Sequence, residues 1–459
     1  MMRRAAGVVA ALVLCAMDDA PVRAQAEAIV IENVAVVDVV KGRLTAPQTV
    51  IIAEGRIASM GRLETAAPPD AVRVDGSGRY LMPGLVDMHV HLFNNATHRP
   101  PNDWAFPLWV ANGVTGVRDM RSELSDLPTI ARWRDAVGRH QLIAPRVLAA
   151  GLAPNTGSEE TARQAVQDAH AAGADFIKIF SNVSESLWHT ILEKARDVNL
   201  PVCGHVPAEV SARTAASAGQ RSNEHLTQVY EACSRKEQEF LAKRRGLNGN
   251  EAARIRDEQE GEVLAAFDEK VCTQTAEHLA KTRQVQVPTL VLPWVEAQPR
   301  RKSFRDDPHW NLLRADEQAR WEGIIEQEPA EITETARRRW EVSREIVRIM
   351  ERAEVRILAG TDSPMPLVYP GWAVHKELEL LVESGLSAAE ALRSATIWPA
   401  EFLNVNQSRG SIAVGKDADL VLLDADPLRE IGNTRLIHAV VLEGRLLLRA
   451  DLDALLRGK

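Results

Sequence analysis

The chain has 459 residues, of which 45% are hydrophobic and 26% charged, and a formal net charge of −8. That length holds one large domain and a smaller one with ample core. Both signs of charge are spread along it, which argues against a nucleic-acid footprint. The short runs Arg300-Arg301-Lys302 and Arg337-Arg338-Arg339 lie in helical, Glu-rich sequence and read as solvated helix faces.

At the N-terminus Arg3 and Arg4 precede an apolar run over 5–17, too short to cross a bilayer. Ala24-Gln25-Ala26 then offers a small-x-small cleavage site. This order predicts a signal peptide over 1–26, an exported, periplasmic protein, and no stable membrane span after processing. Leu14 before Cys15 is not the small residue a lipoprotein site needs. Cys203 sits in an apolar strand-like segment and is expected to be buried and inert. Cys233 and Cys272 flank a polar helical stretch and can pair in an oxidising compartment.

Val/Ile-rich stretches follow at 29–40, 49–59 and 72–74, broken by turns such as Glu54-Gly55-Arg56. The same texture returns at 419–423 and 439–442, with a second turn at Glu443-Gly444-Arg445. The two ends, 27–82 and 406–459, are therefore expected to combine into one small β-sandwich. In the middle, 83–405, eight apolar segments alternate with helical ones: 84–91, 114–119, 146–150, 176–180, 202–205, 221–225, 285–292 and 355–360. Eight such units favour an α/β fold with a closed (β/α)₈ TIM-like barrel over an open doubly wound sheet. Helical insertions around 228–280 and 294–352 fill the two long spacings and are expected over the barrel mouth. Ser387 with Glu390 forms a capping box ahead of 391–397.

The strongest local signal is Pro83-Gly84-Leu85-Val86-Asp87-Met88-His89-Val90-His91. Residues i and i+2 of a strand point the same way, so His89 and His91 present two imidazoles to one site. Neutral imidazole suits zinc and similar metals, and barrel strands carry catalytic groups at their C-terminal ends. Two surface histidines two apart are common, but this pair ends an apolar strand after a Pro-Gly turn. Further ligand types end later segments in order. Lys178 lies in an apolar strand, where burial depresses an amine's pKa and frees it to react with carbon dioxide. His205, His225 and Asp362 end three more segments. A core lysine, capped histidines and an N-cap aspartate explain each singly, but not their sequential order together.

On these residues the chain resembles the amidohydrolase superfamily, in its Xaa-Pro dipeptidase-like and imidazolonepropionase-like branch. The resemblance also takes in 113–119, Ala359-Gly360-Thr361-Asp362-Ser363, 375–380, 386–400 and 410–424. It implies a binuclear centre with two divalent ions, zinc being the expected species. His89, His91 and Asp362 would hold one ion and His205 and His225 the other, with carboxylated Lys178 and a hydroxide bridging them. Asp362 would shuttle the proton, and Tyr230 is the nearest residue to a tyrosine that holds the scissile carbonyl in related peptidases.

The implied reaction is hydrolysis of an amide bond in a small molecule, a dipeptide or an N-acyl amino acid. Lactone, carbamate or phosphotriester hydrolysis on the same centre is the alternative, because a fold does not fix its substrate. A mononuclear deaminase is disfavoured, since Ala208 stands where such enzymes carry a glutamate and Lys178 is present. A non-catalytic descendant would have lost ligands, and none is missing. Arg118 and His375 are expected to bind a substrate carboxylate, and Trp104, Trp294, Tyr369 and Trp372 to be available for an aromatic-lined pocket. A homo-oligomer is compatible with the sequence.

Overall fold

Glycine turns and apolar alternation cut both chain ends into short strands, and these join in one sheet. The computed structural model describes residues 28–62, 68–93, 99–148, 150–152, 157–299, 304–329 and 331–457. The expected signal peptide and the basic run at 300–302 lie outside them. The sheet has nine strands, and its halves meet where Tyr80–Pro83 pairs antiparallel with Leu420–Leu423. The long strand Ala28–Asp38 carries an irregularity between Ile31 and Val34, with Asn33 at φ 53°. It pairs with Gln48–Ala53 and Val72–Asp75 before the irregularity and with Tyr80–Pro83 after it. The folded sheet encloses its own core of Ile29, Ile31, Val50, Ile52, Leu81, Leu420, Leu422 and Val441.

The middle of the chain is the expected barrel. Its strands are Leu85–Val90, Val114–Asp119, Arg146–Leu148 with Ala150–Leu152, Phe176–Ile179, Val202–Gly204, Ser222–Glu224 and Val285–Val287. Neighbours pair in parallel, with registers such as Asp87↔Val117, Lys178↔Cys203 and Asn223↔Gln286. The Arg221 N–H donates to the Val202 carbonyl at 2.7 Å and joins the fifth strand to the sixth. The eighth segment, 355–360, pairs more sparsely. Ile357 bridges Gln286, and the Ala359 carbonyl accepts the Met88 N–H at 2.9 Å, which returns the ladder to the first strand. Helices cover the outside by their apolar stripes. In Glu185–Asp197 the buried residues Leu187, Trp188, Ile191, Leu192 and Ala195 recur at helical spacing. The capping box of Ser387 and Glu390 is present.

One expected strand is shorter than its apolar run. The strand at 285 ends at Val287, and Val291–Glu296 is a helix. Pro288 cannot donate to a ladder, and an apolar run does not by itself distinguish strand from helix. The two insertions are helical: Gly249–Ala265 and Glu269–Thr282 in the first, Ala315–Gln327 and Glu334–Arg352 in the second. Cys233 and Cys272 form a disulfide that ties the start of the first insertion to Glu269–Thr282, and Cys203 is free and buried. Among the described residues no helix is long and apolar enough to cross a membrane.

Candidate metal centre

Strand ends bring the ligand types together. His89 is fully buried near the end of the first strand, and His91 follows it, partly buried. Their Nε2 atoms converge on one oxygen, Asp362 Oδ1, at 3.0 and 2.6 Å. Among the described residues these three form a group whose ligand atoms all lie within 4.8 Å of one another. The backbone fixes this meeting. The Asp362 N–H donates to the His89 carbonyl at 2.7 Å, and Asp362 has φ 65°, a conformation costly for a non-glycine residue. Asp87 braces it from below, accepting the Thr361 N–H at 3.0 Å and the Thr361 hydroxyl at 2.6 Å. A Cβ at Gly360 would come within 2.9 Å of the His89 Cβ, so only glycine lets the eighth segment pass this close.

Hydrogen bonds on the far side of the His89, His205 and His225 rings orient them. His89 Nδ1 lies 2.9 Å from Glu224 Oε2. Burial alone would raise the Glu224 carboxyl, but the Arg118 guanidinium and His89 hold it well below the usual carboxylate range. An ionised carboxylate only accepts, so Nδ1 carries a proton and Nε2 is the nitrogen turned towards Asp362. That nitrogen is buried, faces a carboxylate oxygen and makes no hydrogen bond. Two imidazole nitrogens and a carboxylate oxygen within 4.8 Å of one another are a donor set that fits a divalent metal. His225 follows the same logic. The Thr289 hydroxyl donates to the Pro288 carbonyl at 2.7 Å, so it accepts from His225 Nδ1–H, also at 2.7 Å, and Nε2 is left free. His205 Nδ1 lies 3.0 Å from Ser181 Oγ. The His225 ring centroid is 4.5 Å from that of His89 and 5.0 Å from that of His205. Burial, reinforced by His89, pulls His225 down to about 3, so it stays a neutral imidazole.

Lys178 is fully buried, and its Nζ has no hydrogen-bond partner. Burial pulls its amine down to about 8. Gly204, at φ 119°, makes room for the stem: a Cβ there would meet the Ile179 carbonyl oxygen at 2.4 Å and the lysine Cδ at 2.8 Å. Above His205 and His225 opens a cavity of about 390 Å³. Its wall is built by the insertions, with Tyr230, Arg256, Glu260, Glu296 and Arg339 in it.

The remaining expectations need correction. Arg118 has no exposed surface. Its Nε donates to the Met88 carbonyl at 2.6 Å and one terminal nitrogen donates to both Glu224 oxygens at 2.9 Å, so it braces Glu224 beside His89 inside the barrel and has no surface open to the cavity. His375 is likewise buried, between Thr434 Oγ1 at 2.9 Å and the Asn112 carbonyl at 3.1 Å. Tyr230 does line the cavity, but its hydroxyl is committed. Ser343 donates to the Arg339 carbonyl, so it accepts from Tyr230 at 2.8 Å. Trp104, Tyr369 and Trp372 pack with Phe304, Trp310 and Trp321 in a separate cluster, and Lys376 covers Trp294. None of the four aromatics lines the cavity over the histidines.

Sequence reasoning passed over Glu224, Ser181, Thr289 and Arg256. Glu224 had a usable signal. A carboxylate inside an apolar barrel strand needs a partner, and Ser222 and Glu224 share the inward face. Thr289 and Arg256 lie in a turn and an insertion, where no period marks them.

The profile of the Amidohydrolase family matches residues 80–447. An adenine deaminase from Moorella thermoacetica is 43% identical over 63 residues, 14% of this chain and 10% of that protein. A dihydroorotase from Anaeromyxobacter dehalogenans is 28% identical over 174 residues, 36% of this chain and 38% of that one. The chain thus spans well under half the length of these curated relatives. Among solved structures, a prolidase-type protein from Bifidobacterium longum superposes with a TM-score of 0.64 at 24% identity, covering 95% of this chain and 99% of that one. A Xaa-Pro dipeptidase with methionine in its active site gives 0.65 at 19% identity, over 92% and 100%. Those structures share the fold, and the profile covers most of the sequence: the chain belongs to the amidohydrolase family.

Proposed function

We propose that the protein is a metal-dependent hydrolase that cleaves an amide bond in a small substrate bearing a carboxylate, a dipeptide or an N-acyl amino acid. The observation that carries this reading is the convergence of His89 and His91 Nε2 on Asp362 Oδ1, with the His89 tautomer set by Glu224. These three would hold one divalent ion. His205 and His225 would hold a second, and Lys178, carboxylated, would lie between them. A bound ion of this kind lowers the pKa of water towards neutrality and polarises a carbonyl.

The chain's own residues do the rest. Asp362 is the carboxylate placed to take a proton and return it to the leaving amine. Arg118 and Glu224 keep His89 in one tautomer in a dry interior. Arg256 takes over the carboxylate-binding role first expected of Arg118 and His375. It lines the cavity, and among the described residues its hydrogen bonds go to its neighbour Asp257, at 3.0 and 2.6 Å. The other arginine of the wall, Arg339, is held by both Glu260 and Glu296. Export to an oxidising compartment is part of the same reading, supported by the Cys233–Cys272 disulfide.

The test is a panel of dipeptides, N-acyl amino acids, their C-terminal amides, lactones and phosphotriesters, run before and after chelation. Hydrolysis of the free carboxylates, lost on chelation and restored by zinc, is expected. Undiminished turnover after metal stripping would refute the metal reading, and turnover of lactones alone would refute the amide.

A further inference from the structure

We infer that Glu377 is a positioning residue for the metal centre, acting through the turn at 288–291 on His225. The inference rests on the metal reading above and adds a group from outside the barrel strands. Glu377 lies on the helix Trp372–Glu383, is fully buried, and has no basic side chain among the charges that act on it. Its two oxygens accept two consecutive backbone N–H groups, Leu290 at 2.9 Å and Val291 at 2.8 Å. Burial pushes its carboxyl up to about 8, so the two aligned amide donors, and not a counter-ion, define what this group holds.

What it holds is a strained turn. Thr289, immediately before, has φ 48°. A β-branched residue in the left-handed region persists only where its surroundings enforce it. The Thr289 hydroxyl donates to the Pro288 carbonyl and accepts from His225 Nδ1–H, while the His225 N–H donates to the Val287 carbonyl at 2.9 Å. His225 is itself at φ 58°. The relay therefore runs from the Glu377 carboxyl to two amides, through the turn to the Thr289 hydroxyl, and on to the imidazole of His225, which lines the cavity. An ordinary helix cap comes from the residue before the helix. Glu377 comes from a different helix and grips the residues that follow the strained threonine.

The test uses full-length, zinc-loaded protein in graded competing chelator at about pH 9, where the Glu377 carboxyl is ionised, with retained metal counted by mass spectrometry. Glu377→Gln, whose amide can accept only one of the two N–H groups, is expected to weaken retention about tenfold. Thr289→Val should do the same and Thr289→Ser should not, because it keeps the hydroxyl. The Glu377→Gln/Thr289→Val double variant should be no weaker than the worse single to within about threefold, since both break one relay. Wild-type retention in Glu377→Gln, or losses that multiply in the double variant, would overturn the inference. If Glu377→Gln does not fold, the Thr289 pair decides: Thr289→Val holding metal as tightly as Thr289→Ser would also overturn it. A wild-type protein that retains no zinc would instead overturn the metal reading, and this inference with it.

Discussion

Replacing Arg118 with leucine separates its two readings. A residue that meets a substrate carboxylate is removed at the expense of KM, with the fold intact. In the structure Arg118 instead neutralises Glu224 where neither has exposed surface, through bonds of 2.9 Å to both carboxylate oxygens and a further bond of 2.6 Å to the Met88 carbonyl. Removing one partner of such a pair leaves an uncompensated buried charge, which costs about 3–5 kcal/mol. The cost depends on pH. In the wild type Glu224 titrates below its unfolded value of 4.5, so its stabilisation is complete above that value and fades as pH falls below it. Without Arg118, burial raises the carboxyl above 4.5, and the sign reverses: stability is then lost as pH rises. The deficit of Arg118→Leu should therefore be larger at pH 8 than at pH 5, and Arg118→Leu/Glu224→Gln should recover most of it. Urea unfolding of chelator-treated protein followed by tryptophan fluorescence measures this. A variant within 1 kcal/mol of wild type, or a deficit independent of pH, would refute the pairing argument.

Lys178→Met should stabilise the metal-free protein while abolishing activity. The folded amine titrates near 8 against 10.5 in the unfolded chain, so the unfolded state binds the extra proton and the fold is penalised below about 8. The penalty, about 3 kcal/mol at pH 7, fades as pH rises from 8 to 10.5; no gain in the variant at pH 7 counts against the buried, unpartnered amine. Gly204→Ala should prevent the lysine stem from seating, and is read as loss of soluble protein or of bound metal. Cys233→Ser/Cys272→Ser opens a loop of 39 residues and should cost about 3–4 kcal/mol in chemical unfolding. An unchanged midpoint would mean that the bridge constrains nothing in the unfolded chain.

The barrel was legible because parallel strands buried on both faces read as apolar runs, and 114–119 was placed to the residue. The eighth segment was legible as apolar sequence, but its sparse pairing was not, because the backbone turns at Thr361 and Asp362 to bring a carboxylate onto the first strand. At 285–292 the apolar run conceals a strand, a strained turn and a helix, and the turn is the part that matters to His225. The same limit explains Arg118 and His375. Charge in a sequence suggests a ligand, yet the fold spends these two on Glu224 and on the Thr434 and Asn112 contacts. The six candidate ligands sit at or next to strand ends, where period and position coincide. The cavity wall, with Arg256 and Tyr230, lies in insertions that follow neither.

The central claim is that His89, His91, Asp362, His205, His225 and Lys178 hold catalytic metal, and metal counting beside turnover tests it most directly. Purified protein should carry two divalent ions per chain, and His91→Ala should lose metal together with amide hydrolysis at unchanged fold. Metal-free wild-type protein that hydrolyses amides at full rate, or a His91→Ala variant that keeps both ions and activity, would contradict it.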